Sequence, residues 1–343
     1  MPEAVARLSF RRRVHALYAV LIPANLVAWA WAIALFHGQP LLLGAAALAY
    51  GFGLKHAIDP DHIAAIDNVT RKLMQEGQRP IGVGLFFALG HSSIVFIASL
   101  LVAATAGALQ EVEGLKTVGG VVSTLVSAGF LFAIGATNLA ILPGLWRALR
   151  RLRAGEEQPT IEALPIPTGG LARILRPLFG LIRSSWHMMP LGLLFGLGFE
   201  TATEISVMGL SASHASSGAS LAIALVFPVL FAAGMTLVDA SDGVLMVGVY
   251  QWAFVDPRRK LYYNCIITLV SALIAILIGG VETAGLLVSQ LGAGGALAAV
   301  AELAEQSNSL GAVIIAVFIA CWLASMGLWR ARRPARPTLT TEG

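Results

Sequence analysis

The segment KHAIDPDHIAAIDN, Lys55 to Asn68, decides how the rest of the chain is read. It follows sixteen uncharged residues, 39–54, with the composition of a membrane helix. Yet it holds two histidines, three aspartates, a lysine and a proline. An ionised side chain inside a bilayer costs about 2.5–3.5 kcal/mol on insertion scales, so Lys55, Asp59 and Asp61 must pair, face a cavity or bind something. His56, Asp59 and His62 recur at intervals of three and share one side of a helix. Asp61 lies off that stripe while the helix stays regular. Pro60 argues against regularity, because it lacks the N–H that would bond the His56 carbonyl, and its ring crowds that oxygen. The segment therefore predicts a kink or break near His56 that turns Asp61 and both imidazoles toward one point and frees the His56 carbonyl to face a cavity. Such backbone at depth is tolerated only inside protein or beside water.

Two imidazoles with carboxylates suit a divalent transition metal: nickel, cobalt, copper or zinc before magnesium or calcium. No thiolate is near, which disfavours Cu(I); Cys265 and Cys321 fall in apolar runs and read as buried, inert thiols. The competing reading is a structural network with Lys55 paired to Asp59.

Composition supplies the frame. Of 343 residues, 57% are hydrophobic and 12% charged, with a mean hydropathy of +0.78, which excludes an ordinary soluble domain. The expectation is an all-α, polytopic integral membrane protein, a single transporter domain over 1–343. Eight spans are expected, at about 14–36, 40–68, 80–109, 117–146, 185–210, 221–250, 261–287 and 309–330, with a linker at 147–183. All 23 basic residues except Lys55 and Lys116 then fall on one side, the positive-inside pattern. Both termini are expected in the cytoplasm, and the first span reads as retained rather than as a signal peptide. The net charge of +4 reports topology and anionic lipid, and no nucleic-acid motif is present. The end of the linker, LARILRPLFGLIR, reads as a surface-lying segment.

A weak internal repeat accompanies the spans. Phe52-Gly53-Leu54 aligns with Phe195-Gly196-Leu197, Asp61 falls opposite Glu204, and Gly90-His91 matches Gly234-Met235 with one residue of slippage. Spans 2–4 therefore repeat as spans 5–7. An offset of three spans reverses direction, so this is an inverted-topology repeat, whose sites lie near the midplane between the halves.

Other polar groups gather on the same helices. His91 stands on span three in FFALGHSSIVF, where a lone histidine is ordinarily a helix–helix hydrogen bonder. Glu200 and Glu204 are one turn apart in GLGFETATEI, and Asp239 and Asp242 share a face in GMTLVDASDG. Spans two, three, five and six thus carry the polar groups, as a cation path requires. His15, His37, His187 and His214 sit at span ends or in outer turns and read as ordinary.

At these residues the chain resembles the nickel/cobalt transporter (NiCoT) family. The family's hallmark is His, four residues, Asp-His in the second span, matched here by His56, Asp61 and His62. LGHSSIV, LGFETATE and GMTLVDASDG match three further family segments in the same order. Lys55 stands where the family usually has Arg, Glu200 where it has Asp, and Pro60 where it has Ala; relatives thus manage without that proline. The resemblance implies a secondary permease, not an enzyme, with no prosthetic group. It takes up Ni²⁺ or Co²⁺ through the cytoplasmic (inner) membrane, and the hallmark residues bind or select the ion. The expected metal residues are His56, Asp61, His62, Asp59 and His91, with Asp59 ligating or orienting a histidine. Glu200, Glu204, Asp239 and Asp242 would line the path or balance charge. Export of the same metals is the alternative, but the loop 147–183 holds no histidine, whereas related exporters often carry a His-rich one. An intramembrane metalloenzyme is disfavoured, since no HExxH helix or Ser/Lys nucleophile pair is present.

Overall fold

The computed structural model describes residues 2–104, 108–154, 182–198, 202–216, 220–254, 257–306 and 310–331. Among them there is no strand. The helices are α1 (Pro2–Leu35), α2 (Pro40–His56), α3 (Pro60–Gln75), α4 (Val83–Ala104) and α5 (Ala108–Arg153). After a 3-10 turn at Ser185–His187 come α6 (Met188–Gly196), α7 (Ala202–Ser216), α8 (Leu221–Phe254), α9 (Pro257–Leu291), α10 (Ala296–Gln306) and α11 (Leu310–Ala331).

Five segments are long and apolar enough to cross a membrane: Phe10–Phe36, Val83–Ala104, Val118–Arg151, Leu221–Gln251 and Leu261–Leu291. A sixth is the pair α2 and α3, bent by 51° at its break. The expected spans at 185–210 and 309–330 correspond to α6 with α7, and to α11. The outside of the bundle is apolar, with Leu26, Val27, Leu273 and Leu277 exposed, while Asp67, Arg71, Glu204 and Asp239 and hydroxyls such as those of Ser99, Ser211 and Thr268 are buried. That is the distribution lipid demands.

The break in the second span forms where the proline predicts it. Pro60 takes the first position of α3, where no N–H is needed, and Asp59 before it is extended at φ −65°, ψ 144°. The His56 carbonyl does not face a cavity: it accepts the Asp59 N–H at 2.9 Å. Asp59 makes no side-chain cap, because its carboxylate is turned to His56. Asp61 Oδ1 accepts the His62 N–H at 2.9 Å instead and satisfies one orphan donor of the helix start.

Glycines let the central helices touch backbone to backbone. On α2, a Cβ at Gly53 would lie 2.8 Å from the Phe231 carbonyl carbon, and on α8 one at Gly234 would lie 2.7 Å from the Tyr50 oxygen. Helix α4 packs against both α8 and α6. Helices α5 and α9 form a second close pair, with Gly135 on Ala272 and Ile276, and Gly279 on Ala128 and Phe132.

A buried polar network ties α3 to that pair and to α8. Tyr250 Oη donates to Asp67 Oδ1 at 2.6 Å, and Ser271 Oγ to Asp67 Oδ2 at 3.0 Å. Arg71 donates to Thr268 Oγ1 and to Asn68 Oδ1, both at 2.8 Å, and Asn138 donates to Asn68 at 3.0 Å. Counting basic residues for topology puts Arg71 in an inner loop; it lies instead within α3 and is 4% exposed. Lys72 keeps the loop-facing role, donating to the Ile182 carbonyl.

Candidate metal centre

Three imidazoles meet at the break. His56 ends α2, His62 lies in the first turn of α3, and His91 stands in the middle of α4. All three are at least 97% buried. Their ring centroids form a near-equilateral triangle with sides of 4.8, 4.8 and 4.7 Å. One ring nitrogen from each lies within 4.8 Å of the other two, and among the described residues this is the one cluster of three metal-type ligands.

Carboxylates fix how the rings face. Asp59 Oδ2 is 3.0 Å from His56 Nδ1. Asp239 on α8 approaches His62 Nδ1 with both oxygens, at 3.2 and 3.4 Å. Each acceptor holds a proton on Nδ1 and leaves Nε2 as the lone-pair atom. His62 Nε2 is sealed from solvent and has no hydrogen-bond partner among the described residues. His91 turns the same atom inward, with Nε2 2.9 Å from His56 Nε2 and 2.9 Å from Glu204 Oε1. A buried imidazole nitrogen without a partner is costly unless something binds it. Carboxylate acceptors behind imidazole ligands are the usual outer layer of a metal site.

Backbone charge also favours a cation there. The C-terminal ends of α2 and α6 converge on the site, His56 and Gly196 being their last residues, and helix C-termini are the negative ends. The N-terminal ends of α3 and α7 carry Asp61 and Glu204 in their first turns, which offsets their positive ends. Gly196 allows this convergence, since a Cβ on it would lie 2.8 Å from the His91 carbonyl oxygen. Phe87 meets His62 edge-on at 4.8 Å, and Phe231 lies 5.5 Å from the His56 ring, so the apolar side is closed.

Of the residues singled out from sequence, His56, His62, His91, Asp59, Glu204 and Asp239 come together. Asp61 lies beside them, but its oxygen is engaged with the helix start rather than with the imidazoles. Asp242 sits one turn past Asp239, with Oδ2 sealed and no hydrogen-bond partner among the described residues. Glu200 lies outside the described residues. Lys55 is exposed at the end of α2. Sequence reasoning gave no role to Asp67 and Asn68, although both stand in the opening stretch. It also underrated Asp239 and Glu204, which touch histidines directly. For Glu204 there was a signal, its position opposite Asp61 in the internal repeat.

Comparison with known proteins agrees with this chemistry. Residues 42–328 match the family described as high-affinity nickel-transport protein. The chain is 52% identical to a high-affinity nickel transport protein of Cupriavidus necator, over 94% of this chain and 93% of that protein. It is 41% identical to the high-affinity nickel-transport protein NixA of Helicobacter pylori strain 26695 (84% and 88% covered). To the cobalt transport protein NhlF of Rhodococcus rhodochrous it is 38% identical (95% and 94% covered). No solved structure matches it. With matched residues running through all three histidines and both partner carboxylates, the chain belongs to the high-affinity nickel-transport family: a multi-pass membrane transporter of the nickel/cobalt class, not an enzyme.

Proposed function

We propose that this chain is a permease that takes up Ni²⁺ or Co²⁺ through the cytoplasmic membrane, holding the ion among His56, His62 and His91. The observation that carries this reading is the buried triangle of imidazoles, with His62 Nε2 unpartnered and Asp59 and Asp239 behind the rings. Imidazole donors in an apolar enclosure favour nickel and cobalt over the hard cations. Asp59, about a third exposed, and the partly exposed Asp61 form the approach. They attract the dication, and Asp59 accepts the Nδ1–H of His56, the first histidine. The relatives named for high-affinity nickel transport support uptake as the direction.

The transporter has eight spans, both termini in the cytoplasm, and two inverted halves, spans 2–4 and 5–7. Support comes from reciprocal packing of α5 and α9. Gly135 rests on Ala272 and Ile276, Gly279 rests on Ala128 and Phe132, and each residue has its counterpart 144 positions along. The first span of each half is interrupted, α2/α3 between His56 and Pro60 and α6/α7 after Gly196. Discontinuous helices that point their ends at a midplane site are the common plan of such transporters.

The test is accumulation of radioactive ⁶³Ni²⁺ and ⁵⁷Co²⁺ in cells making wild-type protein or His56→Ala at matched membrane levels. Accumulation that the alanine variant abolishes is the expected result. Undiminished accumulation by that variant contradicts the site, and net loss of preloaded ion from wild-type cells contradicts the direction.

A further inference from the structure

Three nitrogens leave a transition-metal ion short of donors, and a fourth group stands at the same point. Glu204 Oε1, on the first turn of α7, lies 2.9 Å from His91 Nε2 and 3.8 Å from His56 Nε2, and the side chain is 3% exposed. The two Nε2 atoms are themselves 2.9 Å apart. A triangle with sides of 2.9, 2.9 and 3.8 Å has a circumradius of about 1.9 Å. That is slightly inside the ~2.0–2.2 Å that imidazole nitrogens and carboxylate oxygens keep from a bound first-row metal such as zinc. An ion just off the plane of these atoms reaches all three at bonding distance.

We propose that Glu204 is the fourth ligand, so that the centre is three imidazoles and one carboxylate. This rests on the three-histidine reading above. It also gives Glu204 a role different from that of Asp61, its counterpart in the repeat, whose oxygen is spent on a backbone N–H. His56 and His62 come from one half of the transporter and Glu204 from the other. The ion therefore bridges the halves, and its arrival or departure changes the force between them.

The experiment is Co²⁺ titration of purified full-length protein, followed by the visible d–d absorption, which reports coordination independently of transport. Wild type, Glu204→Gln, Glu204→Asp and His56→Ala are compared, with the metal-free melting temperature of each as a check on folding. Glu204→Gln is expected to weaken Co²⁺ binding at least tenfold and to change the band shape, with its melting temperature kept. Glu204→Asp, which keeps the carboxylate, restores affinity in part. The proposal is overturned if Glu204→Gln binds Co²⁺ with wild-type affinity and spectrum while His56→Ala loses both; the histidine centre then stands without it. It is also overturned if Glu204→Asp is as defective as Glu204→Gln, because the loss then follows packing rather than charge. If His56→Ala also binds normally, the three-histidine reading fails and this one with it.

Discussion

Gly53 and Gly51 lie two residues apart on α2 and test whether the site depends on backbone contact between helices. A methyl at Gly53 would sit 2.8 Å from the Phe231 carbonyl carbon and 3.0 Å from its Cα, with the carbonyl oxygen nearer still. Carbon–carbon contact is comfortable near about 3.5–4.0 Å, so α2 and α8 must part by about 1 Å. No flexible side chain can absorb the shift, because the obstacle is backbone. His56 is one turn away and its ring packs on Phe231, so it moves with the helix. Applied along the His56–His91 direction, that shift stretches their 2.9 Å approach to about 4 Å, past the ~3.3–3.4 Å that separates two donors of a tetrahedral ion at bond lengths of about 2.0–2.1 Å. Overpacking costs about 1–3 kcal/mol, offset by up to about 1 kcal/mol from replacing glycine within a helix. Gly53→Ala should therefore lower stability by about 3 kcal/mol at most, yet reduce nickel uptake at least tenfold. At Gly51 nothing lies within 4 Å of the added methyl, and Gly51→Ala should match wild type in both respects. Uptake per inserted molecule and thermal melting of the purified variants decide the matter. Wild-type uptake by Gly53→Ala would refute the idea that this seam sets the distance between the histidines.

Three other outcomes follow from the same geometry. Asp239→Asn keeps volume but lets an amide N–H approach His62 Nδ1, favouring the tautomer with its proton on Nε2; nickel affinity by equilibrium dialysis should fall about 10–100-fold with little change in melting. Arg71→Met removes a buried cation from the network around Asp67 and leaves that carboxylate 0% exposed, so unfolding should be easier by about 3–5 kcal/mol, read by denaturant titration in detergent. Lowering the pH should weaken Ni²⁺ binding to purified protein, because imidazoles must be neutral and carboxylates ionised to hold a metal; binding that strengthens with acid would contradict histidine ligation.

Much of this architecture is legible in the chain because lipid imposes a coarse rule. Apolar runs of span length, basic residues at one set of ends and a proline after a histidine foretell α2, its break and α3. His56 and His62 are readable as a pair, since both lie on one short segment. His91 is harder: alone on an apolar helix it has no spacing partner, and its place follows from the close approach of α4 to α6 at Gly196. Asp239 is 177 residues from the ring it orients, a distance only tertiary packing closes. Arg71 misleads, because a count of basic residues treats every arginine as a marker of the membrane surface. Its partners, Thr268 and Asn68, look like ordinary small polar residues until the helices are assembled. The 144-residue reciprocity of α5 and α9 emerges from contacts, since the residues involved, Gly, Ala, Ile and Phe, are common in any span.

X-ray absorption at the nickel edge of the purified, Ni²⁺-loaded protein tests the central claim most directly. Imidazole rings leave multiple-scattering features that can be counted. Three rings about 2.0–2.1 Å from the metal, falling to two in His91→Ala, are the predicted result. A shell made only of oxygen, or one ring that persists when His56, His62 or His91 is replaced in turn, would contradict the account.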